Sequence, residues 1–469
     1  MRASRWVIVI ATVAVLFPAE LRAQAGDASR VAAQREELER IRELEAEIPE
    51  TQGTTWDYGG WYRFSYVKYD DVLTDREAAE HDVRLWASLS FADIHQFYFR
   101  LRTAFEDWAH HDQPYGLDPH DLEGPNLDQG WYRVRLSKLA EAWTGSKWRF
   151  NVDAKLGRQY LEIGRGIVFS RIFDAAMLEA GNFYFTAQVF FGQTPTSDHN
   201  LDSLAPEWWH DRRQFYGFQA SVKNVVPRVE PYVYGLWVND RNSYSGGVPG
   251  QGYGYDPRYF GVGARGNPFG GLRWWAEYAA ESGRSAATGS TRRENIDAHA
   301  FVAGAECVFS NWPTRPRLEA EYGLASGDSD RVSPLSAALG NTPFTKDRGF
   351  LGYGYHDTGV AFAGRFANLS SLRATASFFP LECVPCFKQL EVGASVYWFR
   401  KDKAAGGISD LSALGASRNI GSEFDLFANW RIASDLMWTV RWGRFNLGEA
   451  FSNPSDTREY VLTTVTYSF

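Results

Sequence analysis

The sequence of 469 residues has no apolar run long enough to cross a membrane as a helix. A membrane helix needs about 20 apolar residues, whereas the longest run here, Trp6–Phe17, has twelve. Arg2 and Arg5 precede this run, and small residues follow it up to Ala25, which is the pattern of a secretory signal peptide. We therefore predict a signal peptide over residues 1–25 and an exported mature chain without a transmembrane helix.

Cysteine is scarce, with three residues in the whole chain. Cys383 and Cys386 form a Cys-x-x-Cys pair, but no βαβ pattern of a redox domain surrounds it and no histidine follows as in haem attachment. The pair falls in a predicted short periplasmic turn, where oxidising conditions allow a disulfide. We predict a Cys383–Cys386 bridge and a free thiol at Cys307.

Catalytic and cofactor motifs are absent from the sequence. It contains no Gly-x-Ser-x-Gly, no His-Glu-x-x-His and no phosphate-binding loop between a strand and a helix. Asp328 and Asp330 supply fewer oxygen ligands than a calcium site requires. We expect no enzymatic activity, no cofactor and no metal. A barrel enzyme of the lipase or protease type, assembling its residues from separate strands, is the alternative that a motif search leaves open.

Lysine is also rare, because nine of the 49 basic residues are lysine and the remainder are arginine. Guanidinium groups bind carboxylates and phosphates through two parallel hydrogen bonds, which favours an anionic solute or polysaccharide as partner. A GC-rich genome would produce the same bias, so both interpretations stand. The net charge of −8 argues against a nucleic-acid partner.

Aromatic residues and glycine are abundant in a chain that is polar on average. Aromatics make up 16% of the residues, there are 43 glycines, and the mean hydropathy is −0.36. Aromatic girdles and a polar lumen give transmembrane β-barrels this composition. The last stretch, Arg458–Phe469, alternates an apolar and a polar face. Its terminal Phe469 resembles the signal by which bacterial outer-membrane barrels engage the barrel-insertion machinery; a soluble β-sandwich is the alternative.

Alternating stretches recur along the chain from Trp56 onward, separated by short and long connections in turn. This pattern predicts an all-β fold, a transmembrane antiparallel β-barrel of about eighteen strands over residues 56–469, in the outer membrane of a Gram-negative bacterium. The predicted strands begin near Trp56, His81, His95, Gly130, Trp148, Asp174, Phe183, Arg213, Arg228, Arg258, Leu272, Asp297, Arg315, Leu369, Lys388, Ile420, Leu436 and Arg458.

Residues 26–55 are predicted to form a short amphipathic helix and a linker. Leu38, Ile41, Leu44 and Ile48 recur at helical spacing among charged residues, and a proline ends the pattern. This helix would plug the barrel, extend towards a periplasmic partner or form a coiled coil. The coiled coil fits the pattern least well, because the heptad repeat is interrupted.

Charged residues identify the lumenal face of the predicted strands, because an arginine facing lipid would cost a few kcal/mol. Phe97, Phe99 and Leu101 alternate with Arg100 and Arg102, which places the arginines inside. The basic inward positions are Arg63, Arg84, Arg100, Arg102, Arg133, Arg135, Arg149, Arg265, Arg273, Arg373 and Arg441. The acidic ones are Glu106, Asp153, Glu277, Glu319, Glu321, Glu391, Glu423 and Asp425.

These arginines have two interpretations, since cross-strand ion pairing is the structural alternative to solute binding. Arg100, Arg102, Arg133 and Arg135 lie on consecutive strands with few acids among them, so we expect a basic patch that is not fully paired. Further along the chain, Arg158, Arg165 and Arg171 would either form a basic constriction or fix a loop against Asp174.

Four segments of the sequence resemble the alginate-export family of outer-membrane porins. They are Leu156–Arg165 with the following Arg171–Asp174, Glu321–Asp328, Glu423–Phe427 and Gly443–Gly448. The resemblance implies an eighteen-stranded barrel whose electropositive channel passes an anionic polysaccharide. The chain departs from the family in its eight acidic inward positions and its amino-terminal helix, which leaves other substrates open.

From these observations we expect a porin that passes anionic solutes without chemistry, with anionic polysaccharide or uronate-type sugars such as alginate as substrates. A general diffusion porin is a further alternative. The substrate-binding residues would be the arginines that line the pore: Arg63, Arg84, Arg100, Arg102, Arg133, Arg135, Arg149, Arg158, Arg165, Arg171, Arg373 and Arg441.

Overall fold

The computed structural model describes residues 53–71, 74–109, 120–195, 212–241, 254–287, 292–331, 333, 341–410 and 412–469. The predicted signal peptide and the predicted amphipathic helix lie outside these residues.

The described chain forms eighteen β-strands. They are β1 Thr54–Asp71, β2 Thr74–Phe91, β3 His95–Trp108, β4 His120–Arg135, β5 Asn151–Ile163, β6 Phe169–Gly181, β7 Phe185–Gln193, β8 Arg213–Val222, β9 Val229–Asp240, β10 Tyr255–Phe269, β11 Leu272–Ala286, β12 Arg293–Val308, β13 Arg317–Ala325, β14 Leu369–Phe378, β15 Leu390–Lys401, β16 Asn419–Arg431, β17 Leu436–Leu447 and β18 Thr457–Ser468.

Each strand pairs antiparallel with its neighbours in sequence, and β18 pairs with β1 to close the ring. At the seam, the backbone N–H of Phe469 donates to the oxygen of Gly60, and its oxygen accepts from the N–H of Gly60, both at 2.9 Å. Closure leaves no sheet edge, which a bilayer requires because it offers backbone groups no other partner. The predicted barrel and its strand number are confirmed.

Three strands begin five or more residues earlier than the sequence predicted: β2 at Thr74, β4 at His120 and β6 at Phe169. In each case the additional residues lie at the end of the strand that joins an external connection. The external hairpins therefore continue the barrel wall, and the polar residues in them had concealed this from the alternation pattern.

A helix, α1 Leu136–Thr144, follows β4 and was not predicted. It ends at Gly145, whose φ of 69° is the left-handed cap conformation that glycine adopts without strain. As a result β5 begins at Asn151, and Arg149 lies exposed in the connection before it. The prediction that Arg149 occupies an inward strand position is wrong. No helix among the described residues is long and apolar enough to cross a membrane.

The cysteines carry free thiols. Cys383 and Cys386 are exposed in the connection between β14 and β15, where Val384 is extended and a 3-10 helix, Pro385–Phe387, begins immediately after it. The bridge predicted between these two cysteines is not formed in the structure. Cys307 lies on β12 beside the buried inward residue Glu306, and so faces outward.

The alternation of the strands separates an apolar outer face from a charged inner one. Phe97, Phe99 and Leu101 are exposed on the outer face of β3, whereas Arg100 between them is fully buried. On β18, Val465 and Tyr467 are likewise exposed on the outside. Because the exposed band is apolar, it suits the hydrocarbon of the bilayer, and the charged side chains point into the lumen as predicted.

Two external connections fold back into the barrel. The β5–β6 hairpin bends inward at residues 164–168, and part of the β13–β14 connection, residues 349–366, follows it; we call the latter the lumenal segment. The amides of Tyr353 and Tyr355 donate to the oxygens of Val168 and Gly166, both at 2.8 Å. Side chains of the lumenal segment and of the surrounding strands form an apolar core inside the barrel, where Phe350 is completely buried.

We predict that the aromatic side chain of Phe469 is needed for assembly in cells, not for the stability of the finished barrel. Deleting Phe469 should lower the amount of folded, heat-modifiable protein in the outer membrane, because it removes the terminal aromatic and two hydrogen bonds of the seam. Phe469→Ala keeps those backbone bonds, so it should assemble poorly in cells yet refold like the wild type in detergent. Normal assembly of the deletion variant in cells would contradict this prediction.

Candidate functional site

One side of the lumen carries a group of cationic side chains on the inward faces of β1 to β5. We call Arg63, Arg84, Arg100, Arg102, Arg133 and Lys155 the basic wall. The strand register aligns them, since Arg63 lies opposite Asp82, Arg84 opposite Arg102, and Arg133 opposite Lys155. Like charges directly opposite one another repel, so this arrangement needs carboxylates nearby.

Two aspartates hold the centre of the basic wall together. Asp82 accepts from Arg84 Nε at 2.9 Å and from Arg102 Nε at 2.6 Å. Asp128 accepts from Arg84 Nη1 at 3.2 Å and from Arg100 Nε at 2.6 Å. The three guanidinium groups thus share two carboxylates, and such charge-assisted bonds fix the orientation of each arginine.

Aromatic rings pack beside these cations. The Arg84 and Arg100 guanidinium groups lie 5.5 and 5.4 Å from the ring of Trp61, and the Lys155 ammonium lies 4.0 Å from the ring of Trp131. The negative face of an aromatic ring attracts a cation, and more strongly where water is excluded. Arg84 and Arg100 are buried in this packing, whereas Arg63, Arg102, Arg133 and Lys155 are partly exposed to the lumen.

Three of the four arginines of β3 and β4 have acidic partners, contrary to the expectation of few acids among them. Arg100 and Arg102 bind the two aspartates, and Arg102 Nη1 also donates to Glu123 at 3.0 Å. Arg135 pairs with Asp93 in the β2–β3 turn. Asp128 lies at a β-bulge between β3 and β4, which shifts the alternation and brings into the lumen a carboxylate that the sequence pattern did not reveal.

The lumenal segment is held by carboxylates on the other strands. Glu281 accepts from the amide of Leu351 at 3.0 Å, and Glu423 accepts from the amides of Ala361 and Phe362 at 2.7 and 2.8 Å. In the same way Glu277 accepts from the amide of Arg165 in the β5–β6 hairpin at 2.6 Å. These bonds satisfy backbone donors that folding into the lumen removes from water.

A second ion-pair group joins the lumenal segment to β14. Arg373 binds Asp357 of the segment together with Glu319, and its Nη2 lies 3.5 Å from Glu321 Oε1. Burial would raise the pKa of Asp357, but the guanidinium of Arg373 and the amide of Gly359 outweigh it and lower this pKa below its usual value. Asp357 therefore carries a negative charge at neutral pH and keeps the segment attached to the wall.

The other predicted site residues lie in different places. Arg165 is at the tip of the inward hairpin, with its guanidinium 4.4 Å from the ring of Trp275. Arg171 occupies an inward position on β6, since it shares the parity of the buried Phe173. Arg441 faces the lumen from β17 and acts electrostatically on Asp357.

Arg158 does not line the pore. It shares the parity of the exposed Leu156 on β5 and so faces outward, where its Nε donates to Asp174 Oδ1 at 2.8 Å. The predicted contact with Asp174 is therefore present, and it holds β5 to β6 on the outside of the barrel.

A family model described as alginate export matches residues 56–463, which is nearly the whole of the barrel. The chain belongs to the alginate export family. The family and the fold place this protein in the outer membrane of a Gram-negative bacterium, where it forms a channel. No curated protein sequence matches it.

Solved structures of Pseudomonas aeruginosa proteins share the fold of this chain. OccK8 (OprE) matches with a TM-score of 0.54 and 12% identity over 88% of this chain and 98% of its own. OccK5 (OpdH) matches with a TM-score of 0.54 and 11% identity, and the match covers 90% of this chain and 99% of OccK5. OpdK, solved with vanillate, matches with a TM-score of 0.54 and 11% identity, and the match covers 88% of this chain and 98% of OpdK.

We predict that Glu423 keeps the lumenal segment folded against the wall. Glu423→Ala leaves the amides of Ala361 and Phe362 without their acceptor, at a cost of about 1–3 kcal/mol for each buried group. This cost should release the segment and raise the single-channel conductance in planar bilayers. Glu391→Ala is the matched control, because Glu391 also faces the lumen but accepts from the side chains of Ser377 and Asn429. Equal conductance of wild type and Glu423→Ala would contradict the prediction.

Proposed function

We propose that this protein is a selective channel for anionic solutes and that the basic wall guides them. The observation that carries the proposal is the charge count along this wall. The wall carries six cationic side chains, with Asp82 and Asp128 at its centre and Glu80 and Glu123 within ion-pair distance of Arg102. An excess of positive charge in a narrow, partly desolvated passage raises the local concentration of anions.

The lumenal segment favours a selective channel over a general diffusion porin. In the described residues its hydrogen bonds run to the β5–β6 hairpin, to β10, β11, β14, β15 and β16, and to the connections that follow β13 and β15. This side of the lumen is filled by apolar side chains, so a solute would pass along the remaining side, where β1 to β5 carry the basic wall. A passage bounded by cations on one side brings a carboxylate into successive contact with guanidinium groups.

The partly exposed cations would make these contacts. Arg84 and Arg100 are buried and fixed by Asp82 and Asp128, so their part is to hold the wall together. Arg63, Arg102, Arg133 and Lys155 would offer the accessible charges. None of them is buried in an apolar pocket, so a bound carboxylate could exchange between them without being trapped.

Uronate-type sugars and acidic polysaccharides such as alginate are the substrates that the family description suggests, because their carboxylates recur along the chain. The vanillate bound to OpdK, a protein of the same fold, is also a carboxylate. Both comparisons support an anionic group as the feature that the passage selects.

We predict that Arg133→Gln with Lys155→Gln shifts the reversal potential under a salt gradient towards cation selectivity. The two residues are a cross-strand pair, and replacing them leaves Asp82 and Asp128 with their arginines. A unit charge on the wall and an anion about 7 Å away attract each other by roughly 0.6 kcal/mol in water. Each removed charge should therefore lower the anion preference about two- to threefold. The shift should shrink in 1 M salt, where the Debye length is about 3 Å.

Arg444→Gln is the control for this measurement, because it removes one positive charge from the outer face of β17 and none from the lumen. A wild-type channel that prefers cations at low salt, or an equal shift in the control, would overturn the proposal. Circular dichroism and heat-modifiability of each variant show whether the barrel is intact.

A further inference from the structure

The outer face of the barrel carries a cationic group at the external ends of β10, β11 and β12. It consists of Arg258 on β10, Arg284 on β11, Arg293 on β12 and Lys346 in the β13–β14 connection, together with Asp256 and Asp297. We call these six residues the rim cluster. All four cationic side chains are exposed, and Arg258 and Arg284 face outward because they alternate with buried inward residues.

The two aspartates of the rim cluster are occupied by other groups. Asp256 accepts from the amide of Asp240 at 2.7 Å through Oδ1 and pairs with Arg293 through Oδ2. Asp297 accepts from Lys346 Nζ at 2.9 Å. Neither Arg258 nor Arg284 has an ion-pair partner in the described part of the chain, although Asp256 is the register neighbour of Arg284.

The two arginines lie close enough to act on one ligand. Arg258 is the register partner of Ser282, and Arg284 lies two residues beyond Ser282 on the same face. Such diagonal neighbours on a sheet are about 7–8 Å apart, within the combined reach of two long side chains. Exposed polar side chains of Ser282 and Asn295 lie beside them.

The level of the rim cluster relative to the bilayer is defined by the residues below it. Phe260 and Val262 are the next outward positions on β10, Tyr278 lies below Ser282 on β11, and all three are exposed. Trp237, the register partner of Arg258 on β9, is exposed as well. Aromatic residues mark the edge of the apolar band in outer-membrane barrels, so Arg258 and Arg284 lie immediately above the hydrocarbon, at the height of lipid headgroups.

We propose that the rim cluster binds a phosphorylated glycolipid of the outer leaflet. Its phosphate groups would pair with Arg258 and Arg284, its sugar hydroxyls would contact Ser282 and Asn295, and its acyl chains would lie on Phe260, Val262 and Tyr278. Guanidinium groups match phosphate oxygens through two parallel hydrogen bonds. The complementary charge and the adjoining apolar strip together select a lipid over a free anion.

Two other cations at the external end of the outer face, Lys68 and Arg444, have acidic partners. Lys68 on β1 lies within 3.1 Å of Asp75 and 2.9 Å of Glu77, and Arg444 on β17 lies 3.5 Å from Glu459. A lipid phosphate would have to displace a carboxylate at either place. Arg444 is therefore the matched control for the rim cluster.

The test is native mass spectrometry of the full chain, released from detergent micelles after titration with lipid A. The wild type should retain lipid A. The double variant Arg258→Gln with Arg284→Gln should bind lipid A about thirtyfold more weakly, because each cation near an anionic headgroup contributes roughly 1 kcal/mol. Arg258→Lys with Arg284→Lys should recover most of the binding, and Arg444→Gln should leave it unchanged. Heat-modifiability on gels shows that each variant is folded.

Three results would overturn the proposal. They are equal retention by the wild type and the Gln double variant, an equal loss in Arg444→Gln, and retention of zwitterionic phosphatidylethanolamine as strong as that of lipid A. Competition by inorganic phosphate at the same concentration as lipid A would also overturn it, because the site would then be one for a free anion.

Discussion

Every backbone N–H and C=O at membrane depth needs a partner within the protein, and the rest of this structure depends on how the closed strand ladder meets that requirement. The seam between Gly60 and Phe469 completes the ring. An eighteen-stranded ring encloses more space than the side chains of its own walls can fill. The β5–β6 hairpin and the lumenal segment occupy part of that space, and the apolar core of the protein therefore lies inside the barrel.

Folding backbone into the lumen creates a second demand for hydrogen-bond acceptors. Glu277, Glu281 and Glu423 meet it by accepting from amides of the inward-folded chain. These carboxylates would otherwise be candidates to neutralise the arginines across the lumen. Because they are bound on the side of the lumenal segment, they lie apart from the basic wall, and the proposed selectivity for anions depends on that arrangement.

The strand architecture could be predicted from the sequence because alternation is a local property. The predicted starts of β3, β8, β11, β14 and β17 coincide with those of the structure. Alternation along β5 also places Arg158 on the outer face, because it lies two residues after the exposed Leu156. Alternation alone would therefore have excluded Arg158 from the predicted pore-lining residues. Arg149 was misplaced for a different reason, because α1 delays the start of β5 and breaks the pattern on which its position depended.

The partners of the pore residues could not be predicted, since they depend on contacts between strands that are distant in sequence or irregular in register. Asp128 reaches Arg84 and Arg100 through a bulge. Asp357 reaches Arg373 from an external connection. A signal for that inward fold was nevertheless present in the alternation of Gly352, Tyr353 and Gly354.

Gly352 and Gly354 show why this segment can reach the hairpin. A Cβ atom at Gly354 would lie 1.8 Å from the oxygen of Gly166, and one at Gly352 would lie 2.2 Å from the oxygen of Ile167. Neither distance is sterically possible, so the backbone of the segment approaches the hairpin closely only where side chains are missing. The glycines that alternate with aromatic residues in this connection therefore mark the point where its backbone packs against the hairpin inside the barrel, and this packing fills part of the lumen.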